Sequence, residues 1–147
     1  MSTRRQQGFT LVEAMVALVV LAVGMLGIAG LYVTTLRSGG GAIYRMQAVN
    51  LATDLADRIR ANRSANVLYA GAAANNNCYG AGAVDCSTAQ MAANDLFVWN
   101  AQVQAILPAG AGAVVVNGAA IPYTYQITIT WVEQGGAAMN YVMTLQI

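Results

Sequence analysis

Between Glu13 and Arg37 the chain carries no charged residue, and Ala14 to Leu31 reads AMVALVVLAVGMLGIAGL, apolar throughout. At about 1.5 Å per residue a helix over this stretch is roughly 27 Å long, close to the bilayer hydrocarbon thickness of about 30 Å. Adding Tyr32 and Val33 makes it long enough to span. A helix that is apolar on every face needs lipid or other helices around it. Arg4 and Arg5 precede the stretch, so the positive-inside rule keeps the N-terminal end cytoplasmic and exports the remainder of the chain.

Composition narrows the function. Only 9% of the residues are charged, against about 25% in ordinary soluble domains, so part of the surface must be buried in something other than the chain's own core. There is no histidine and there are only two cysteines, which excludes a Ser/His/Asp or Cys/His nucleophile and a His-based zinc site. No G-x-S-x-G or P-loop pattern occurs. The reading is a protein with no cofactor and no enzymatic activity. A membrane-anchored exported enzyme or binding protein is the alternative from another class. The net charge is +1, and Arg58, Arg60 and Arg63 are too few for direct nucleic-acid binding, which needs a basic stripe with aromatics.

The apolar stretch alone is compatible with a secretory signal peptide, with Gly27-Ile28-Ala29 as a small-x-small cleavage site, or with a plain anchor. Signal peptides have apolar regions of roughly 7 to 15 residues, and neither reading accounts for Glu13. A carboxylate drawn from the edge of the run toward the bilayer centre costs up to about 3 kcal/mol. Arg4 to Glu13 reads RRQQGFTLVE. This resembles the class III signal of type IV pilins and type II secretion pseudopilins: a basic leader ending in Gly, then Phe-Thr-Leu-x-Glu and an apolar helix. The resemblance implies that a prepilin peptidase cuts between Gly8 and Phe9 and methylates the new amine, leaving a mature chain from Phe9 to Ile147.

Within one helix that amine and Glu13 would be roughly 6 Å apart along the axis, a loose pair. A neighbouring chain displaced along its axis brings its own amine closer, in surroundings where the attraction is strong. Glu13 is therefore expected to set the register of assembling helices.

Gly24, Gly27 and Gly30 recur every three residues and offer a small-residue surface, or reflect the general frequency of glycine in membrane helices. Gly39-Gly40-Gly41 is expected to form a hinge or loosened turn. From Ala42 to Asn62, Met46, Val49, Ala52, Ala56 and Ile59 recur at helical spacing. Asp54 with Arg58 and Asp57 with Arg60 make surface pairs on a solvated face.

Arg63 to Asp95 is rich in Ala, Asn and Gly and reads as a long loop, which needs a stabiliser. Cys78 and Cys86 supply one on the exported side, where disulfides persist; closing this loop is worth roughly 2.5 kcal/mol. A second helix is expected over 95–107, with Leu96, Trp99, Val103 and Ile106 on one face, Asn94 as cap, and Pro108 and Gly110 as the stop. Ala113 to Val116 is a short strand. Tyr123 to Trp131 and Met139 to Ile147 alternate as a hairpin around Gly135-Gly136. The fold class is α+β: a long N-terminal helix, transmembrane in its first half, packed on a small antiparallel sheet with a second short helix.

Asp54 to Arg63 (DLADRIRANR), the cysteine loop, the Trp-bearing helix ending in Leu107-Pro108-Ala109-Gly110 and the strand YTYQITITW together resemble the PilV-type minor pilins. These later motifs are partly shared with the I-type pseudopilins of type II secretion, which remain the alternative within the class. The resemblance implies a structural subunit that helps prime pilus assembly, at or near the tip. Its partners would be other minor and major pilins, the prepilin peptidase, the inner membrane and the pilus assembly platform. It implies a single pass through the inner membrane, then display at the cell surface. The expected organisation is a leader at 1–8, a transmembrane and filament-core helix at 9–36, an amphipathic continuation at 42–62, and an exported head at 63–147 containing the cysteine loop.

Overall fold

The computed structural model describes residues 9–118, 121–133 and 135–147. Helix α1 spans Leu11–Ala61. A 3-10 segment comes next over Arg63–Ala70, bent at Asn66, and helix α2 runs over Thr88–Ile106. Strands β1 (Ala111–Asn117), β2 (Thr124–Val132) and β3 (Ala138–Gln146) complete the chain. The fold is α+β, with the long helix packed on a three-stranded antiparallel sheet of order β1-β2-β3.

The chain divides into two compact units between Gly39 and Gly40. In the first, Phe9 to Leu36 buries nothing against its own chain: Phe9 is 77% and Leu11 80% exposed. The loosened turn expected at Gly39-Gly40-Gly41 is corrected, because these residues are helical. In Gly41 the missing Cβ leaves room for the Glu133 carboxylate, whose Oε1 would lie 2.9 Å from a Cβ there. That glycine is a close approach rather than a break.

In the second unit, α1 buries Ala48, Leu51, Ala52, Leu55, Ala56 and Ile59. The expected stripe is displaced by part of a turn. Ala52, Ala56 and Ile59 face the core, whereas Met46 and Val49 face outward and Leu51 and Leu55 take the core positions. Large residues flank the small ones on both sides here, so periodicity alone does not choose the face.

Helix α2 begins at Thr88, seven positions before the expected start. Ser87 accepts from the Gln90 amide while the Gln90 side chain accepts from the Ser87 amide at 2.9 Å, a reciprocal capping box. Asn94 is not a cap. It is buried inside the helix, and its Oδ1 accepts from the Asn76 amide at 2.9 Å. The loop expected over 63–95 therefore shrinks to 71–87. Leu96, Trp99 and Val103 face the core as expected, but Ile106 at the last turn is exposed.

Trp99 ties the layers together. Its ring is buried, its Nε1 donates to the Leu51 carbonyl of α1 at 2.9 Å, and its far edge lies against Gly112 of β1, where any Cβ would collide with it. On β2, Tyr125, Ile127, Ile129 and Trp131 all point inward. On β3, Met139, Tyr141 and Met143 form a half-buried rim and Leu145 is buried.

Candidate functional site

The candidate assembly element is the N-terminal arm. Its most apolar eighteen-residue window has a mean hydropathy of 2.6 and none of it is buried by the chain itself. Thr10 starts the helix: its carbonyl and hydroxyl both accept from the Glu13 amide, at 3.1 and 3.4 Å. Glu13 thus lies in the first turn, where the helix dipole favours an anion. Its side chain is exposed, beside Phe9, Val12 and Val16, which are exposed too. Gly8, the other expected processing residue, lies outside the described residues, as do Arg4 and Arg5. Nothing approaches the positions that Cβ atoms would occupy at Gly24, Gly27 and Gly30, so this surface is open to another helix. At the far end, Thr34 and Thr35 return their hydroxyls to the Gly30 and Leu31 carbonyls at 3.1 and 2.9 Å, which hides these donors in an apolar surrounding.

The head is organised around a group that sequence reasoning missed. Asp95 is buried on α2. Its Oδ2 accepts from the Tyr69 hydroxyl at 2.6 Å and its Oδ1 from the Tyr79 hydroxyl, with Arg58 Nη1 at 3.5 Å. Arg58 also donates through Nε to Asp54 at 2.8 Å and lies 5.9 Å from the centre of the Tyr79 ring. A buried carboxylate needs such partners. The solvated face expected for these charges holds for Arg60 with Asp57, a pair at 2.7 Å; Arg58 instead reaches inward. Burial would lower the Arg58 pKa, but the hydrogen bond and charge of Asp54 and the charge of Asp95 hold it raised. Burial, then the bond to Asp95, pushes Tyr79 up to about 12 and raises Tyr69 further. The legible signal was position: Ala92, Asp95, Leu96, Trp99 and Val103 lie along one helical stripe, and a lone carboxylate on an apolar stripe marks a buried pair.

The structure joins Cys78 and Cys86 in a disulfide with Cα atoms 5.8 Å apart. The loop they close is tied to α2: Ala74 N donates to Ala93 O at 3.0 Å, and Asn76 Nδ2 to Gln90 O at 3.0 Å. Tyr79, inside the bridge, carries the loop to Asp95. A cavity of about 350 Å³ beside it is lined by Arg58, Asn62, Tyr79, Thr88 and Asp95. Among the described residues no group of His, Cys, Asp or Glu is arranged to hold a metal.

An apolar helical arm that nothing in its own chain covers, on a chain with an α+β head, fits a membrane-anchored subunit. Residues 3–29 match the prokaryotic N-terminal methylation motif, and residues 30–97 match the Tt1218-like family, described as type IV pilin Tt1218. The chain belongs to the type IV pilins in the broad sense that includes the pseudopilins. These families are structural, and the methylation motif implies processing by a prepilin peptidase and assembly with other pilins. No curated protein and no solved structure matches the chain.

Proposed function

We propose that the chain is a minor pilin of a type IV pilus, a structural subunit that helps prime assembly and stays at or near the tip. In this reading the peptidase cuts between Gly8 and Phe9, and the segment 9–36 passes from the inner membrane into the helical core of the fibre. Segment 42–62 then carries the head 63–147. The observation that carries the reading is the bare arm, apolar and unburied from Phe9 to Leu36 with one carboxylate, Glu13, in its first turn. Lipid satisfies such a surface before assembly, and neighbouring arms satisfy it afterwards.

Glu13 supplies the register. A neighbour's Phe9 amine at about 4 Å, with an effective dielectric near 20, attracts it by on the order of 4 kcal/mol before desolvation is subtracted. The likeness of DLADRIRANR and the Leu-Pro-x-Gly stop to PilV-type chains supports a minor rather than a major subunit.

The test is to delete the chain and count surface filaments, while quantifying it against the major subunit in sheared fibres. Filament loss with a substoichiometric presence in the fibre supports the reading. Normal filaments with a specific defect in protein secretion would establish the pseudopilin alternative.

A further inference from the structure

The cavity beside the Asp95 cluster has no part in the assembly role. Arg58 from the last turn of α1, Asn62 just beyond it, Tyr79 from the bridged loop, and Thr88, Met91 and Asp95 from α2 enclose about 350 Å³. The α2 residues recur at nearly i, i+3 and i+7, so one face of that helix forms a wall. The volume lies at the lower end of the range for small-molecule sites, roughly 300 to 1,000 Å³.

The inner wall is charged and held in place. Asp95 is 1% exposed and is fixed by the Tyr69 and Tyr79 hydroxyls and by Arg58. Burial keeps both tyrosines protonated well above neutral pH, so their hydroxyls remain donors to Asp95. Drawing Arg58 and Asp95 out of water costs about as much as their attraction returns, so stability alone does not account for this wall.

Other lining groups keep bonding capacity. Arg58 donates through Nε to Asp54 and through Nη1 to Asp95, while its Nη2 makes no bond among the described residues. Asn62 commits Nδ2 to the Thr88 carbonyl at 2.9 Å, which leaves Oδ1 as an acceptor. Neither Nη2 nor Oδ1 is sealed from solvent. The Thr88 hydroxyl is on an exposed residue and has no partner among the described residues. Met91 and the 44%-exposed Tyr79 add apolar surface. Asp54 and Asp95 stand against the single guanidinium of Arg58, so an anion is repelled by the carboxylates and a cation meets Arg58.

We propose that this cavity binds an uncharged saccharide unit. Arg58 Nη2, Asn62 Oδ1 and the Thr88 hydroxyl bond its ring hydroxyls, and its C–H face lies on Met91 and Tyr79. A sugar carries donors and acceptors around the rim of a ring and apolar C–H groups on its faces, which matches this set of groups. A peptide strand would need unpaired backbone groups, and the Arg58 and Thr88 carbonyls already accept bonds from Tyr69 and Asn62. The site goes beyond the assembly role and does not rest on it.

The test uses the full chain in a detergent without a sugar headgroup. Glucose, galactose, mannose, N-acetylglucosamine and N-acetylgalactosamine are the neutral probes, each also as its methyl glycoside; glucosamine and glucuronate are the charged controls. Saturation-transfer NMR reads binding, and amide shifts locate it. Thr88→Val removes the hydroxyl and keeps the shape of the side chain. Ala61→Phe fills the cavity from an exposed position that also lines it. Neither change touches Asp95 or its partners.

The expected result is millimolar binding of at least one neutral sugar, with shifts at the Thr88 and Met91 amides. Thr88→Val weakens it by about fivefold, and Ala61→Phe abolishes it, both with an unchanged unfolding midpoint and an intact Cys78–Cys86 bridge. Equal binding of the methyl glycoside assigns the site to a glycan terminus, and loss on methylation assigns it to a free sugar; either supports the site. No binding by any neutral probe, tighter binding of a charged control, or binding that survives Ala61→Phe overturns the proposal. If Ala61→Phe lowers the midpoint, Thr88→Val decides, and undiminished affinity there overturns it.

Discussion

The Tyr69 hydroxyl donates to Asp95 Oδ2 at 2.6 Å in the interior of the head, linking the 3-10 segment after α1 to the middle of α2. Together with Tyr79 and Arg58 it makes Asp95 the meeting point of three stretches distant in sequence. Removing the carboxylate leaves the Tyr69 hydroxyl only its longer bond to the Arg58 carbonyl, at 3.2 Å, and leaves the partly buried Arg58 with one carboxylate partner fewer. Asp95→Ala is expected to destabilise the head by about 3 kcal/mol, whereas Asp54→Ala, at a half-exposed pair, costs under about 1 kcal/mol. Urea unfolding of the full chain in detergent, monitored by the fluorescence of the buried Trp99 and Trp131, checks both.

The same cluster predicts how the head responds to alkali. The unfolded tyrosines titrate near 10, and in the folded head burial raises Tyr79 to about 12 and Tyr69 further. Between pH 10 and 12 the unfolded state holds fewer protons than the folded one, so stability falls as pH rises. Below pH 10 this contribution is fully present. Each tyrosine accounts for at most about 1.4 kcal/mol per pH unit. Tyr69→Phe should flatten the pH dependence of the unfolding midpoint across this window; an unchanged slope would show that the tyrosine is not responsible.

Reduction of the disulfide bears on the loop more than on the sheet. Cys78→Ser with Cys86→Ser is expected to lower stability by roughly 2.5 kcal/mol. It should also speed amide exchange over 71–87, while leaving β2 and β3 protected. Free-thiol labelling of wild type under denaturing, non-reducing conditions should modify neither cysteine.

Glu13→Val is expected to spare the head, because the residue lies in the first turn of α1, in the other compact unit. Insertion becomes easier by up to about 3 kcal/mol if the position lies deep in the bilayer. Membrane abundance should be normal, with co-purified pilins and surface filaments reduced. Undiminished filaments would remove Glu13 from assembly.

For processing, the mature N-terminus should be Phe9 with a methylated amine, and Gly8→Val should block the cut. Mass spectrometry of the exported chain decides it. A terminus at Gly30 would instead mark ordinary signal-peptidase cleavage.

Legibility in the sequence tracked the strength of local patterning. The apolar run, the Tyr123–Trp131 alternation and the Leu107-Pro108-Ala109-Gly110 stop each state their structure within a few residues. At that stop the Leu107 amide bonds to Val103 O at 3.0 Å, and the bare Gly110 fits over the same carbonyl. The start of α2 was missed although Ser87 and Gln90 have capping-box spacing, because the surrounding Ala and Asn carry no period to point at it. At Asp95 the stripe on α2 marks burial, and only the identity of its partners is hidden. Its partners are Arg58, Tyr69 and Tyr79, and no local pattern reports a contact between segments so far apart along the chain. Glu13 was legible as an anomaly, a charge bordering an apolar run, but its partner belongs to another molecule.

Trp99 has a consequence for how the sheet finds its alignment. The ring is held from one side by the Leu51 carbonyl and admits only a bare backbone on the other, at Gly112. Sliding β1 by two residues keeps the same faces inward but would put Val114 against the ring in one direction. Sliding it by one would turn the opposite face inward. The tryptophan therefore works as a one-way gauge, and a β1 displaced so that Val114 meets the ring cannot close against α2 until it slips back into place.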